Sequence, residues 1–217
     1  GLDYGMLPKG LLKFHQYAEG NRTPLEEHLA EAANYAKGKG GVAKLHFTVS
    51  PEHEQKFKNR LAEVKPQFEK KLDVVFDVSF SQQKPSTDTI AVDMQNQPFR
   101  NEDGSILFRP GGHGALLSNL NDVEADIVFV KNIDNVVPDK LKADTYTYKK
   151  ALAGLLLQYQ QKIFSFVSEL GTVQSEERMK EIADFVAQKL CITHPDFGTL
   201  SLEKKADYLR AKLNRPI

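Results

Sequence analysis

Charge of one sign, cysteine and long apolar runs are all scarce in this 217-residue sequence, and each scarcity removes a class of protein. Lysine plus arginine and aspartate plus glutamate number 29 each, which leaves a formal net charge of zero. A protein that holds a polyanion by bulk electrostatics needs an excess of cations, so nucleic acid is not an expected partner. The single cysteine, Cys191, excludes an internal disulfide framework and suits a reducing compartment such as the cytosol. No segment approaches the roughly 20 apolar residues that span a bilayer. The opening "GLDYGMLPKG" also lacks the basic-then-apolar order of a signal peptide, so no membrane partner is expected. Internal repeats and low-complexity tracts are missing as well.

What is present describes a packed α/β protein. The 41% hydrophobic content is enough for a core at this length. "TPLEEHLAEAANYA" from Thr23 carries a capping threonine, a proline at the first helical position and Glu26 three residues after the cap, with Leu25, Leu29, Ala32 and Ala33 on one side. "GKGG" at Gly38 to Gly41 breaks that helix, and Leu45, Phe47 and Val49 alternate as strand residues do. Ser50 and Pro51 start a second helix that buries Phe57, Leu61 and Val64, and after Pro66 the run Leu72 to Ser81 reads as another strand. Strands joined through helices pair in parallel, so the sheet is expected to be buried on both faces. Asp103-Gly104 marks a turn between two short extended pieces. The apolar stretch Asp126 to Asp134, "DIVFVKNID", is expected as a strand at the sheet centre.

Beyond Pro138 the pattern becomes helical, with periodic segments over roughly Thr145 to Leu170, Ser175 to Leu190 and Ser201 to Leu213. A boundary near residue 140 therefore separates an α/β part, 1–140, from a helical part, 141–217, that packs on the sheet or forms a subdomain. The first residue is not methionine, and the expectation is a piece of a longer chain.

Ligands of open α/β sheets bind outside the carboxyl ends of the strands. Ser81, Gln82, Gln83 and Lys84 end one expected strand, and Asn132, Asp134 and Asn135 end another. "RPGGHGALLSNL" places Gly111, Gly112 and Gly114 around His113, ahead of a short helix whose free N–H groups favour an anion. A bland reading accompanies each. The glycines make a tight connection, His113 is a structural hydrogen-bonding residue, the glutamines are surface residues and Asp134 caps a turn. Taken together, a paired amide suits a nucleobase edge, a glycine loop suits close approach to base or phosphate, and a carboxylate suits Mg²⁺. These are the parts of a nucleotide site.

Four motifs, in order, resemble the nucleotide-sugar pyrophosphorylases of the UDP-glucose and UDP-N-acetylhexosamine type, whose fold is GT-A-like (Rossmann-like) with helices on both faces of the sheet. "LPKGLL" at Leu7 to Leu12 is similar to the end of that family's signature loop, and "SFSQQKP" at Ser79 to Pro85 to its uracil-reading strand end. "RPGGHGALLSNL" is similar to its second loop, and "VKNIDNVVPD" at Val130 to Asp139 to the strand end that holds the metal. Overall the chain also resembles the bacterial family DUF4301, known mainly from Bacteroidetes. The pyrophosphorylase likeness implies that Lys9 contacts phosphate, that Gln82 or Gln83 reads the base, and that Gly111, Gly112, His113 and Gly114 line the nucleotide. It further implies that Asp134 binds Mg²⁺, and that the substrates are a nucleoside triphosphate and a sugar phosphate. The chain departs from the pattern in lacking a Gly-Gly-x-Gly-Thr-Arg run before Pro8. Two rival readings stand beside the enzyme: a binding module that has lost catalysis, and an interaction domain built on the helical part. A sugar transferase would call for an Asp-x-Asp metal motif, and Asp134-Asn135-Val136 is not one.

Overall fold

The computed structural model describes residues 4–172 and 175–214. The chain divides into two compact units, Gly1–Lys150 and Ala151–Ile217.

The first unit opens with a small antiparallel hairpin, β1 (His15–Tyr17) and β2 (Gly20–Arg22). Helix α1 (Pro24–Tyr35) follows, and its start is built as the sequence dictates. Thr23 caps the helix, and the Glu26 carboxylate returns to the Thr23 N–H at 2.8 Å, closing a capping box. Gly40 and Gly41 take φ of +77° and +78°, a left-handed region that side chains resist, and so turn the chain into β3 (Val42–Thr48). Helix α2 (Pro51–Leu72) runs on through Pro66 and ends at Asp73 in the left-handed conformation. Strand β4 (Val75–Ser81) then pairs in parallel with β3, from Val42 opposite Val75 to Thr48 opposite Ser81. Leu25, Leu29, Ala43, Phe47, Phe57, Leu61, Phe68 and Phe76 form one core, so α1 and α2 lie on the same side of the strand pair.

The expectation of a sheet buried on both faces is corrected here. Lys44, His46 and Thr48 of β3, with Val75, Asp77 and Ser79 of β4, face the other way and are exposed. The reason is legible in the strands: apart from the paired Val42 and Val75, that face carries polar or charged residues, which gain nothing from a second layer.

After β4 the chain builds an irregular ribbon in which β5 (Thr89–Ile90) pairs antiparallel with β6 (Phe108–Arg109). Within it the Ala91 N–H donates to Leu107 O, the Leu107 N–H to Phe99 O and the Phe99 N–H to Ala91 O, a closed ring of three backbone bonds. Asp103 and Gly104 form the expected turn, with Gly104 at φ +81°. Helix α3 (Leu117–Asn121) is preceded by a single 3-10 turn, His113–Leu116.

The second correction concerns Asp126 to Asp134. This segment is irregular, with a turn at Ile133 and Asp134; it is not a strand and no ladder joins it to β3 or β4. Its side chains alternate, with 127, 129, 131 and 133 turned inward and 128, 130, 132 and 134 exposed. The inward set docks on α1: the Phe129 ring centre lies 4.9 Å from that of Tyr35, Lys131 reaches Glu31 at 2.5 Å, and Ile133 O bonds His28 Nε2 at 3.0 Å. Period-two alternation fits a chain held by side chains as well as it fits a ladder, so the pattern alone overstates the strand.

The second unit is helical. Helix α4 (Lys142–Glu169) begins in the first unit and continues into this one, followed by α5 (Glu176–Leu190) and α6 (Leu202–Leu213). Ser175 and Ser201 cap α5 and α6 through their side chains. Phe166, Leu170, Met179, Ile182, Val186 and Leu209 form the core of this unit. Among the described residues no helix is long and apolar enough to cross a membrane.

Candidate functional site

The sequence motifs form two sets of contacts, Gln83 with the glycine loop at the carboxyl end of β4, and Lys9 with Asp134 near the start of α2. Gly10 packs there because it has no side chain. A Cβ at that position would lie 2.6 Å from the Phe57 ring, in the second turn of α2, and 3.0 Å from Ile133. That close packing sets Lys9 next to Asp134, and the Lys9 ammonium donates to the Asp134 carboxylate at 2.8 Å across a sequence separation of 125 residues. The Lys9 side chain is 67% exposed and that of Asp134 38%, so both stay open to solvent. The lysine hydrogen bond, with a backbone N–H, holds the Asp134 carboxyl below the usual carboxylate range.

At the end of β4 the two glutamines part. Gln82 donates to Glu54 at 2.7 Å, while Gln83 turns toward Asp88 at 3.3 Å and the glycine loop. Gly111 is the tight point of that loop. A Cβ there would fall 2.9 Å from Thr87 O and 2.9 Å from the Ala115 Cβ, with the Gln83 amide nitrogen at 3.7 Å. Gly112 and Gly114, by contrast, have nothing within 4 Å of a built Cβ. None of the three needs a positive φ. His113 is exposed. Only five α-helical residues follow the 3-10 turn, so this loop does not lead into a long helix with a developed dipole.

Two residues tie the loop to the strand end: Lys84, placed at that strand end by the sequence, and Asn119, which carries no signal there. Asn119, 4% exposed, donates from its amide nitrogen to Ser81 Oγ at 2.9 Å and to Gln82 O at 2.8 Å. Lys84 bridges Ser118 O at 3.3 Å and the Asp122 carboxylate at 2.6 Å. On the exposed face of the strands, His46 bonds Ser79 Oγ and Ser81 Oγ, each at 2.8 Å, and so joins that network. Asn119 meets Ser81 and Gln82, and Lys84 meets Ser118 and Asp122, only when the chain after the loop folds back on β4, which no local pattern announces.

For a divalent cation the protein offers little by itself. Among the described residues no group of three His, Cys, Asp or Glu side chains could hold a metal, and Asp134 is the one carboxylate beside Lys9 that the sequence singled out. One carboxylate suits Mg²⁺, which keeps its water and shares its shell with substrate phosphates. A closed all-protein metal site does not fit.

Behind this edge lies an ionic network that the sequence reading missed. Glu27, fully buried on α1, receives bonds from His15 at 2.9 Å and Tyr17 at 2.7 Å, and pairs with the equally buried Lys142 at the start of α4. Lys142 also donates to Val137 O at 2.6 Å and Asp139 at 3.0 Å, and Arg22 grips the same Asp139 with both contacts under 3 Å. Burial pushes the Asp139 carboxyl up, but Lys142 and Arg22 outweigh it and hold it below its ordinary value. Burial and the Glu27 carboxylate push the Tyr17 phenol up. The signal was available: Glu27 and Glu31 sit one turn apart, and both prove to be fully buried.

A family model described as "Domain of unknown function (DUF4301)" matches residues 1–217. No curated protein matches the chain, and no solved structure does.

Proposed function

The chain belongs to the DUF4301 family, and on that premise we propose that it forms part of a GT-A-like nucleotidyltransferase of the nucleotide-sugar pyrophosphorylase type. The reaction is attack of a sugar 1-phosphate oxygen on the α-phosphorus of UTP, which transfers UMP and releases pyrophosphate. The observation that carries this reading is the meeting of Lys9 and Asp134 at 2.8 Å from motifs 125 residues apart. Gln83, packed beside Gly111, adds to it.

Each residue has a physical task in this reading. Lys9 presents an exposed ammonium to the phosphoryl oxygens and stabilises the charge that develops on them. Gln82 or Gln83 offers a donor and an acceptor on one amide, which matches a uracil edge. Gly112 and Gly114 leave open space for base or ribose, and the exposed His113 between them in the chain can reach a bound nucleotide. Asp134 supplies the protein ligand for Mg²⁺, which when bound neutralises phosphoryl charge and orients the triphosphate. No covalent intermediate with the protein is needed, since positioning and charge stabilisation account for such a transfer.

The test is a calorimetric titration of UTP with Mg²⁺ against CTP, GTP and ATP, followed by a pyrophosphate-release assay with sugar 1-phosphates on the protein that contains this chain. Uridine-selective binding with turnover supports the enzyme. Binding without turnover supports a module that kept the nucleotide site alone, and absence of binding removes both.

A further inference from the structure

We propose that a cavity between α1 and α2 of the first unit binds a small monocarboxylate whose apolar body is about one ring in size. The cavity has a volume of about 200 Å³. About 150 Å³ is enough to hold benzene, so one ring with a small substituent fits. Phe68 and Leu72 of α2, with Ala30 of α1, form an apolar wall, and Arg22, Asn34, Lys71, Asp139 and Tyr146 supply the polar part. No residue assigned above to phosphate, base or metal lines this cavity, so it stands apart from the nucleotide reading.

The polar lining keeps donors unspent. Arg22 bonds both Asp139 oxygens through Nη1 alone, at 2.9 and 2.8 Å, and among the described residues its Nε and Nη2 have no hydrogen-bond partner. Asn34 gives one amide hydrogen to Ala30 O at 2.8 Å and keeps the other. Burial, with the Asp139, Glu31 and Glu27 carboxylates, pushes the Tyr146 phenol up, so its hydroxyl keeps its proton to donate. Charge balance then selects an anion. Those three carboxylates are already matched by Arg22, Lys131 and Lys142. Lys71 is the lining cation left over, 56% exposed and held only loosely by the 73% exposed Glu19 at 3.7 Å. The Glu19 carboxyl is held below its ordinary value by its own backbone N–H first and then by Lys71 and Arg22, so an anion beside it feels both cations. A ligand carboxylate takes the place of Glu19 there while its body lies on Phe68 and Leu72. One surplus positive charge beside an apolar wall suits one carboxylate; a phosphate dianion would bring charge that nothing in the cavity matches.

Titration of the isotopically labelled chain with benzoate, followed by nuclear magnetic resonance, tests the proposal. The expected result is saturable shifts of the Asn34, Leu72 and Tyr146 amides, with a Kd of about 1 mM, ordinary for a ligand of about nine heavy atoms. Acetate has the charge without the body, and benzylamine the body with the opposite charge; neither saturates those shifts over the same range. Lys71→Met, at an exposed position that leaves the fold intact, weakens benzoate about fivefold, and Glu19→Gln, which removes the competing carboxylate, tightens it about twofold. Benzoate shifts that do not saturate, benzylamine binding as well as benzoate, or an affinity indifferent to Lys71→Met would each overturn the proposal.

Discussion

At the scale of single residues, neighbouring glycines separate into two roles. Gly111 is needed by the protein itself, because a methyl group there meets Thr87 O and Ala115 at 2.9 Å. Gly111→Ala is therefore expected to destabilise the chain by about 1–3 kcal/mol, the usual cost of overpacking, as read from urea unfolding. Gly112 faces open space, so Gly112→Val leaves stability within about 0.5 kcal/mol and abolishes uridine nucleotide binding measured by calorimetry. Unchanged affinity in that variant would remove the glycine loop from the nucleotide site. Asp134→Asn separates function from structure in the same way. Its carboxylate is held down chiefly by an exposed lysine, so melting barely moves while Mg²⁺-dependent turnover is lost. Retained turnover would make Asp134 a turn residue and nothing more.

At the scale of elements, α1 is the helix on which the first unit is organised, and its two sides are held by different forces. Leu25 and Leu29 meet α2 and the strands in the hydrophobic core, while Glu27 and Glu31 meet Lys142 and Lys131. A charge buried without its partner is costly, so Lys142→Met is expected to lose about 3 kcal/mol of unfolding free energy. A loss below about 1 kcal/mol would place the pair among surface ion pairs. His28, on the same helix, reports on the docked segment 126–134. Burial lowers its pKa, against the pull of the Ile133 carbonyl that it faces. The unfolded chain takes up that proton near the ordinary value of 6.5 while the folded chain still resists it, so the stability His28 contributes is present above pH 6.5 and declines as pH falls through and below that value. The melting temperature should fall between pH 7 and pH 5, and His28→Gln, which keeps a donor toward Ile133 O, should flatten part of that fall. An unaltered profile would show that His28 does not report on docking.

At the scale of the whole molecule, each unit carries its own core, and truncation in one is felt there. Ile182, fully buried in the second unit, is the sharpest test: Ile182→Ala should cost about 2–5 kcal/mol and reduce the protection of α5 and α6 in hydrogen exchange. Local starts and stops follow from neighbouring residues alone. The Thr23 capping box, the prolines after Ser50 and Thr23, the glycines at 40 and 41 and the serine caps of α5 and α6 are all written in neighbouring residues, because capping and left-handed turns depend on atoms a few positions apart. The parallel pairing of β3 with β4 followed from the helix between them. Tertiary structure alone decided which faces were covered and which distant residues met. The stretch 126–134 has the alternation of a strand but is anchored by Phe129, Lys131 and Ile133 on α1, and one face of the strand pair is polar and exposed. Lys9 reaches Asp134, Asn119 reaches Ser81, and Lys142 reaches Glu27 only because the chain folds back on itself. Such contacts depend on positions in space more than a hundred residues apart in two of the three cases, and local periodicity carries no record of them.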